Sequence, residues 1–127
     1  MDIEFPGGLA VEARFDSFTV RTDQPLEHGG GGSAPPPFDL FLASLATCAG
    51  FYALRFCQER QLPTEGLKLT LETEKDSEKH RLSKIRISIG LPAGFPEKYR
   101  AAIIRATDQC AVKRAILSPP DFEVVAS

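Results

Sequence analysis

The chain has no tryptophan, one methionine, two histidines and three cysteines in 127 residues. With no Cys-x-x-Cys and no His-x-x-x-His spacing, no metal-ligand set is present and no metal or other cofactor is expected. An odd and small number of cysteines does not make a secreted disulfide framework. The expected compartment is a reducing cytoplasm, where any disulfide is transient or catalytic. An excess of one charge is also missing: 15 Lys plus Arg stand against 17 Asp plus Glu, a net charge of −2. That leaves no basic footprint for nucleic acid. Met1-Asp2-Ile3-Glu4 is acidic and runs into Pro6-Gly7-Gly8, which does not read as a secretory signal. The uncharged run from Leu40 to Leu54 contains Ser44, Thr47 and Gly50. It falls short of the ~20 residues that cross a bilayer, so a buried central helix is expected and no membrane partner. Gly29 to Ser33 lacks a Gly-Lys-Ser/Thr ending, and Pro35, Pro36 and Pro37 remove backbone N–H donors, so it is not a phosphate loop. No serine has an evident His/Asp partner for a hydrolase triad.

What is present is 43% apolar and 25% charged, with nine phenylalanines. That is the composition of a soluble globular protein, and the length suits a single domain over residues 1–127. From Met1 to Glu27 polar and apolar residues alternate with breaks at Pro6-Gly7-Gly8 and Asp16-Ser17, as in two or three short hairpin strands. His28 to Pro37 reads as an internal loop. Phe38 to Gln61, ended by Pro63, predicts a long helix with apolar residues on more than one face, wrapped by other structure. Leu67, Leu69 and Leu71, then Leu82, Ile85, Ile87 and Ile89, alternate with polar residues as a strand hairpin with one wet face. His80 lies in its charged turn, and His28 beside the glycine run; both read as surface residues. Glu97 to Cys110 predicts a second helix, with small alanines to sit close to the first, and Phe122 to Val125 a closing strand. The order of elements makes the fold class α+β.

Cysteine carries the only distinctive chemistry. Cys48 and Cys57 are nine positions apart on one helix, about 13 Å of rise, and cannot bond to each other. Cys57, at the helix end, reads as a small apolar filler. By pattern alone Cys48 and Cys110 are also compatible with ordinary buried residues. If the two helices face each other, their thiols can meet.

Pro36 to Cys48, PPFDLFLASLATC, resembles the Pro-x-x-Leu…Ala-x-x-x-Cys helix of the OsmC/Ohr family. Gln109-Cys110-Ala111-Val112 resembles its second, Cys-Pro-Val-like motif, with Ala111 where proline is usual. The glycine-rich loop and the element order agree, so the likeness covers nearly the whole chain. The resemblance implies an OsmC-like fold, with antiparallel sheets around a long central helix in an intertwined homodimer. It also implies a thiol peroxidase of organic hydroperoxides, acting in oxidative-stress defence. Cys48 would attack the peroxide, Cys110 would resolve the sulfenic acid, and an external thiol reductant would reset the pair. In that family an arginine of the N-terminal strands, held by a glutamate after the helix-opening proline, stabilises the thiolate. Here Phe38 follows Pro37 and Leu9 follows Gly8, so Arg14 and Arg21 are the nearest substitutes and Asp39 the nearest orienting carboxylate. These departures set the chain outside the two best-known peroxidase groups. Phe38, Phe41 and Phe51 form the expected apolar approach for a small hydrophobic peroxide. A non-catalytic protein that binds a small hydrophobic ligand on the same fold is the alternative.

Overall fold

The computed structural model describes residues 1–127, which divide into two compact units, Met1–Ala43 and Ser44–Ser127. The first unit holds three antiparallel strands in sequential order: β1 (Asp2–Gly7), β2 (Ala10–Phe15) and β3 (Phe18–Thr22). The β1–β2 turn uses Gly8 at φ 56 and the β2–β3 turn uses Asp16 at φ 52, the left-handed conformation that Gly and Asp tolerate best.

The loop that follows is organised around one carboxylate. Asp23 is only 4% exposed. Its Oδ1 accepts from Gln24 N at 2.7 Å and Gly31 N at 3.4 Å, and its Oδ2 from Ser33 N at 3.1 Å and Ser33 Oγ at 2.6 Å. At Gly30 a Cβ would lie 2.0 Å from the Gln24 carbonyl oxygen, so only glycine lets the chain pass. The glycines are therefore shaped for a closed loop, not a free linker. The Ser33 hydroxyl and N–H, with Gln24 N–H, hold the Asp23 pKa down from 3.8 to about 2. A carboxyl depressed on folding contributes stability that is full above 3.8 and lost as pH falls through 2. Amide NMR shifts of Gly31 and Ser33 followed through an acid titration should show this loop opening in that window. Asp23→Asn should be open already at neutral pH.

Helix α1 (Pro37–Glu59) begins where Pro37 takes the first-turn position that proline favours, with Asp39 beside the positive end of the helix. It ends in a Schellman turn. Gln61 stands at φ 55, its N–H donates to Gln58 O at 3.1 Å, and Leu62 N–H donates to Cys57 O at 2.9 Å. Leu45, Ala49, Ala53, Phe56 and Cys57 form its buried stripe. α1 is long and apolar enough to cross a membrane by length and composition alone. Core helices of soluble proteins pass the same test.

In the second unit β4 (Lys68–Asp76) and β5 (Arg81–Gly90) pair antiparallel, with Leu69 opposite Ile89 and Leu71 opposite Ile87. The alternation puts these on one face and Lys68, Thr70, Arg86 and Ser88 on the other. A 3-10 turn, Glu97–Tyr99, leads into α2 (Arg100–Thr107). The core is Ala53, Phe56, Cys57 and Ile103, with Leu62, Leu67, Leu69, Leu91, Phe95 and Tyr99 packed against it.

Two expectations fail here. The helix expected to run from Glu97 to Cys110 stops at Thr107, and α3 (Ala111–Leu117) starts afresh. Thr107 turns its hydroxyl back onto Ile103 O at 2.8 Å, Asp108 and Gln109 close the last turn, and Cys110 is extended at φ −49, ψ 122. Polar side chains that compete for backbone bonds end helices in this way. The closing strand at Phe122 to Val125 does not form. Residues 118–127 have no regular structure, and Phe122, Val124 and Val125 are exposed. No strand of this chain offers them a ladder, and a strand needs a partner for its backbone groups.

Candidate active site

Cys48 lies one helical turn after Ser44 and Leu45 on α1 and is half-buried. It is too deep in its own helix to feel that helix's dipole, which acts within about one turn. Its stabilisation comes from α3 instead. The backbone N–H of Val112 hydrogen-bonds to the Cys48 sulfur and is the largest influence on it. Partial burial opposes ionisation. The Cys110 thiol, the Ala111 N–H and the positive charge of Arg114 all favour it. The net result lowers the Cys48 pKa below that of an ordinary thiol.

Cys110 occupies the N-cap of α3, where its sulfur accepts from Lys113 N at 3.5 Å. Its thiol also lies 3.9 Å from Leu45 O, so one proton has two acceptors in reach, that carbonyl and the Cys48 sulfur. Cys110 is 2% exposed. All three cysteines are free thiols. Cys57 is fully buried in the core, and loss of water pushes its pKa up, with Arg60 only partly opposing. It is a packing residue, as its place in the sequence suggests.

The other candidates are held as follows. Arg14 pairs with Glu4 at 3.2 Å and with Glu12 at 3.7 Å, and Arg21 pairs with Glu12 at 3.1 Å, all within the three-stranded sheet. Asp39 sits in the first turn of α1 and takes no part in those ion pairs. Phe38 and Phe41 are in tilted ring contact at 5.3 Å, and Phe51 meets Tyr52 edge-on at 5.5 Å. A cavity of about 500 Å3 does exist, lined mainly by aliphatic side chains, with Arg100, Thr107, Asp108 and Lys113 also on its wall. Ile85, Ile87 and Ile89 of β5, Ile103 and Ile104 of α2, Leu45 of α1 and Cys110 all line it. Sequence reasoning missed this cavity and Arg114. The period-two isoleucines were legible, but the helix break that brings Arg114 toward Cys48 was not read from Thr107-Asp108-Gln109.

A two-helix constellation in which hydrogen bonds from the segment carrying one thiol lower the pKa of another defines a two-thiol protein of α+β architecture. The chain belongs to the OsmC family, whose OsmC-like protein model matches residues 30–125. Among solved structures it resembles an osmotic stress induced and detoxification response protein of Psychrobacter arcticus 273-4. The TM-score is 0.75 at 21% identity, over 90% of this chain and 85% of that one. It also resembles the organic hydroperoxide resistance protein OsmC of Legionella pneumophila, with a TM-score of 0.60 at 20% identity over 91% and 85% of the two chains. No protein of curated function matches the sequence.

Proposed function

We propose that this protein is a cytoplasmic thiol peroxidase of hydrophobic hydroperoxides, with Cys48 as nucleophile and Cys110 as resolving thiol. The Cys48 thiolate attacks the outer peroxide oxygen, the O–O bond breaks, and the alkoxide leaves as an alcohol after taking a proton. Cys110 then attacks the Cys48 sulfenic acid, water leaves, and a disulfide forms. An external dithiol returns both to thiols. The observation that carries this reading is the pairing of a Cys48 sulfur whose pKa is lowered with a second thiol hydrogen-bonded to it. Membership of a family related to hydroperoxide-resistance proteins supports it, as does the aliphatic cavity beside Cys110. The volume suits a ligand, and burying an alkyl tail is favourable by about 25 cal/mol per Å2. Arg114 takes the charge role sought in the N-terminal strands.

The test is consumption of cumene hydroperoxide with a dithiol reductant, followed by peptide mapping. Turnover with a Cys48–Cys110 link and a free Cys57 is expected. Linkage through Cys57, or three intact thiols and no turnover, moves the cavity to the non-catalytic ligand-binding reading.

The working form is expected to be a homodimer. Phe38 is 53% exposed and Phe51 56%, so apolar faces of α1 stay uncovered in a single copy. Sedimentation equilibrium at micromolar concentration should give twice the chain mass; a stable monomer contradicts it.

A further inference from the structure

Helix α3 buries none of its residues, yet with Cys110 it supplies one wall of the aliphatic cavity through Lys113 and Ile116. So short a helix does not hold itself together in water. Its position rests on bonds to the rest of the unit, and at its N-terminus those bonds run to sulfur. The Cys110 thiol reaches Leu45 O, and the Ala111 and Val112 N–H groups donate to Cys48, while the Lys113 N–H caps α3 on Cys110 itself. The remaining polar tie is the ion pair of Lys113 with Asp108, which is solvent-exposed and a weak hold. Meanwhile Cys110, which an external reductant must help to regenerate, is only 2% exposed.

We propose that α3 is a sulfur-latched lid on the aliphatic cavity, shut while Cys48 and Cys110 are thiols and released when they join in a disulfide. The proposal rests on the peroxidase reading for the oxidation itself. In that step hydroperoxide is reduced to alcohol and the two thiols are oxidised to one disulfide, with water as the second product. Each latch then weakens. A disulfide sulfur carries no charge for the Ala111 and Val112 N–H groups. Cys110 has no proton left for Leu45 O. Its sulfur must also close to about 2 Å from the Cys48 sulfur, which ties Cys110 to α1 and draws it off the Lys113 N–H of the helix beyond. The lid thus covers an alkyl tail during attack. It opens after the chemistry to let the alcohol leave and the dithiol reach the disulfide.

Trypsin reads this directly, because Lys113 and Arg114 lie inside α3. The full chain is digested briefly in its reduced form, after oxidation with cumene hydroperoxide, and as reduced Cys110→Ala and Cys110→Ser variants. Cleavage after Lys113 and Arg114 is measured by mass spectrometry against cleavage after Lys79 and Lys84 in the hairpin. The oxidised protein and Cys110→Ala should be cut in α3 about ten-fold faster than the reduced protein. Cys110→Ser keeps an N-cap oxygen and should stay protected. Equal α3 cleavage in reduced protein and in protein with a mapped Cys48–Cys110 bond overturns the lid. If no such bond forms, the peroxidase reading falls and the oxidative release with it. Unchanged cleavage in Cys110→Ala then removes the latch as well.

Discussion

Cys48→Ser should abolish hydroperoxide turnover, a loss of about 1,000-fold or more, because Cys48 is the thiol whose surroundings favour the charged form, while burial disfavours it at Cys57. Cys110→Ser should give a different failure: one equivalent of peroxide is consumed and the protein stops at the Cys48 sulfenic acid, which a dimedone-type probe captures. The pH dependence separates cause from consequence. The Cys48 pKa is lowered, so its alkylation by iodoacetamide should reach half its maximum at a pH below that of a free thiol and fall away on the acid side. Arg114→Ala removes one of the smaller favourable influences, so the midpoint should rise only part of the way to the free-thiol value. The same titration on Arg14→Ala decides between the two arginines. A wild-type midpoint at or above that of a free thiol contradicts the assignment of Cys48.

Ile103→Ala should carry the largest loss of stability among single core truncations, about 2–5 kcal/mol in urea unfolding. Ile103 is fully buried, belongs to the core cluster with Phe56 and Cys57, and also forms part of the cavity wall. The space left by its deleted methyl and ethyl groups would merge with a void already present, so little collapse can offset the lost contacts. Against a total stability of roughly 5–15 kcal/mol this is a large fraction. Ile104→Ala is the informative contrast. That side chain is 56% exposed in the single chain, and its truncation should cost well under ~1 kcal/mol in an isolated copy. A cost for Ile104 close to that of Ile103, growing with protein concentration, would mean that a second copy covers it.

Long elements were legible in the sequence and short ones were not. The 23-residue α1 announces itself by its apolar density, the prolines before it and Pro63 after it. The β4–β5 hairpin announces itself by the period-two leucines and isoleucines, because both patterns repeat several times. The break at Cys110 does not repeat. It depends on Thr107 bonding back to Ile103 and on a cysteine acting as N-cap, a role that Ser, Thr, Asp or Asn would signal and cysteine does not. Missing that break hid the source of Cys48 activation, since residues 111 and 112 fell past the end of the expected helix, where no new first turn with free N–H groups was foreseen. The closing strand was expected from β-prone side chains alone, and propensity without a neighbouring strand does not make a strand.

The group that does most to lower the Cys48 pKa is a main-chain amide, and this changes what mutation can do to the site. Replacing Val112 by any residue other than proline leaves the donor in place, so drift in its side chain is invisible to the sulfur. Proline alone deletes an amide hydrogen. Ala111 stands where the family's motif usually has proline, and its N–H is one of the donors to Cys48. This chain therefore has a hydrogen-bond donor in its backbone that a proline at the same position would lack. The lowered Cys48 pKa thus rests first on a main-chain donor and last on the charge of Arg114.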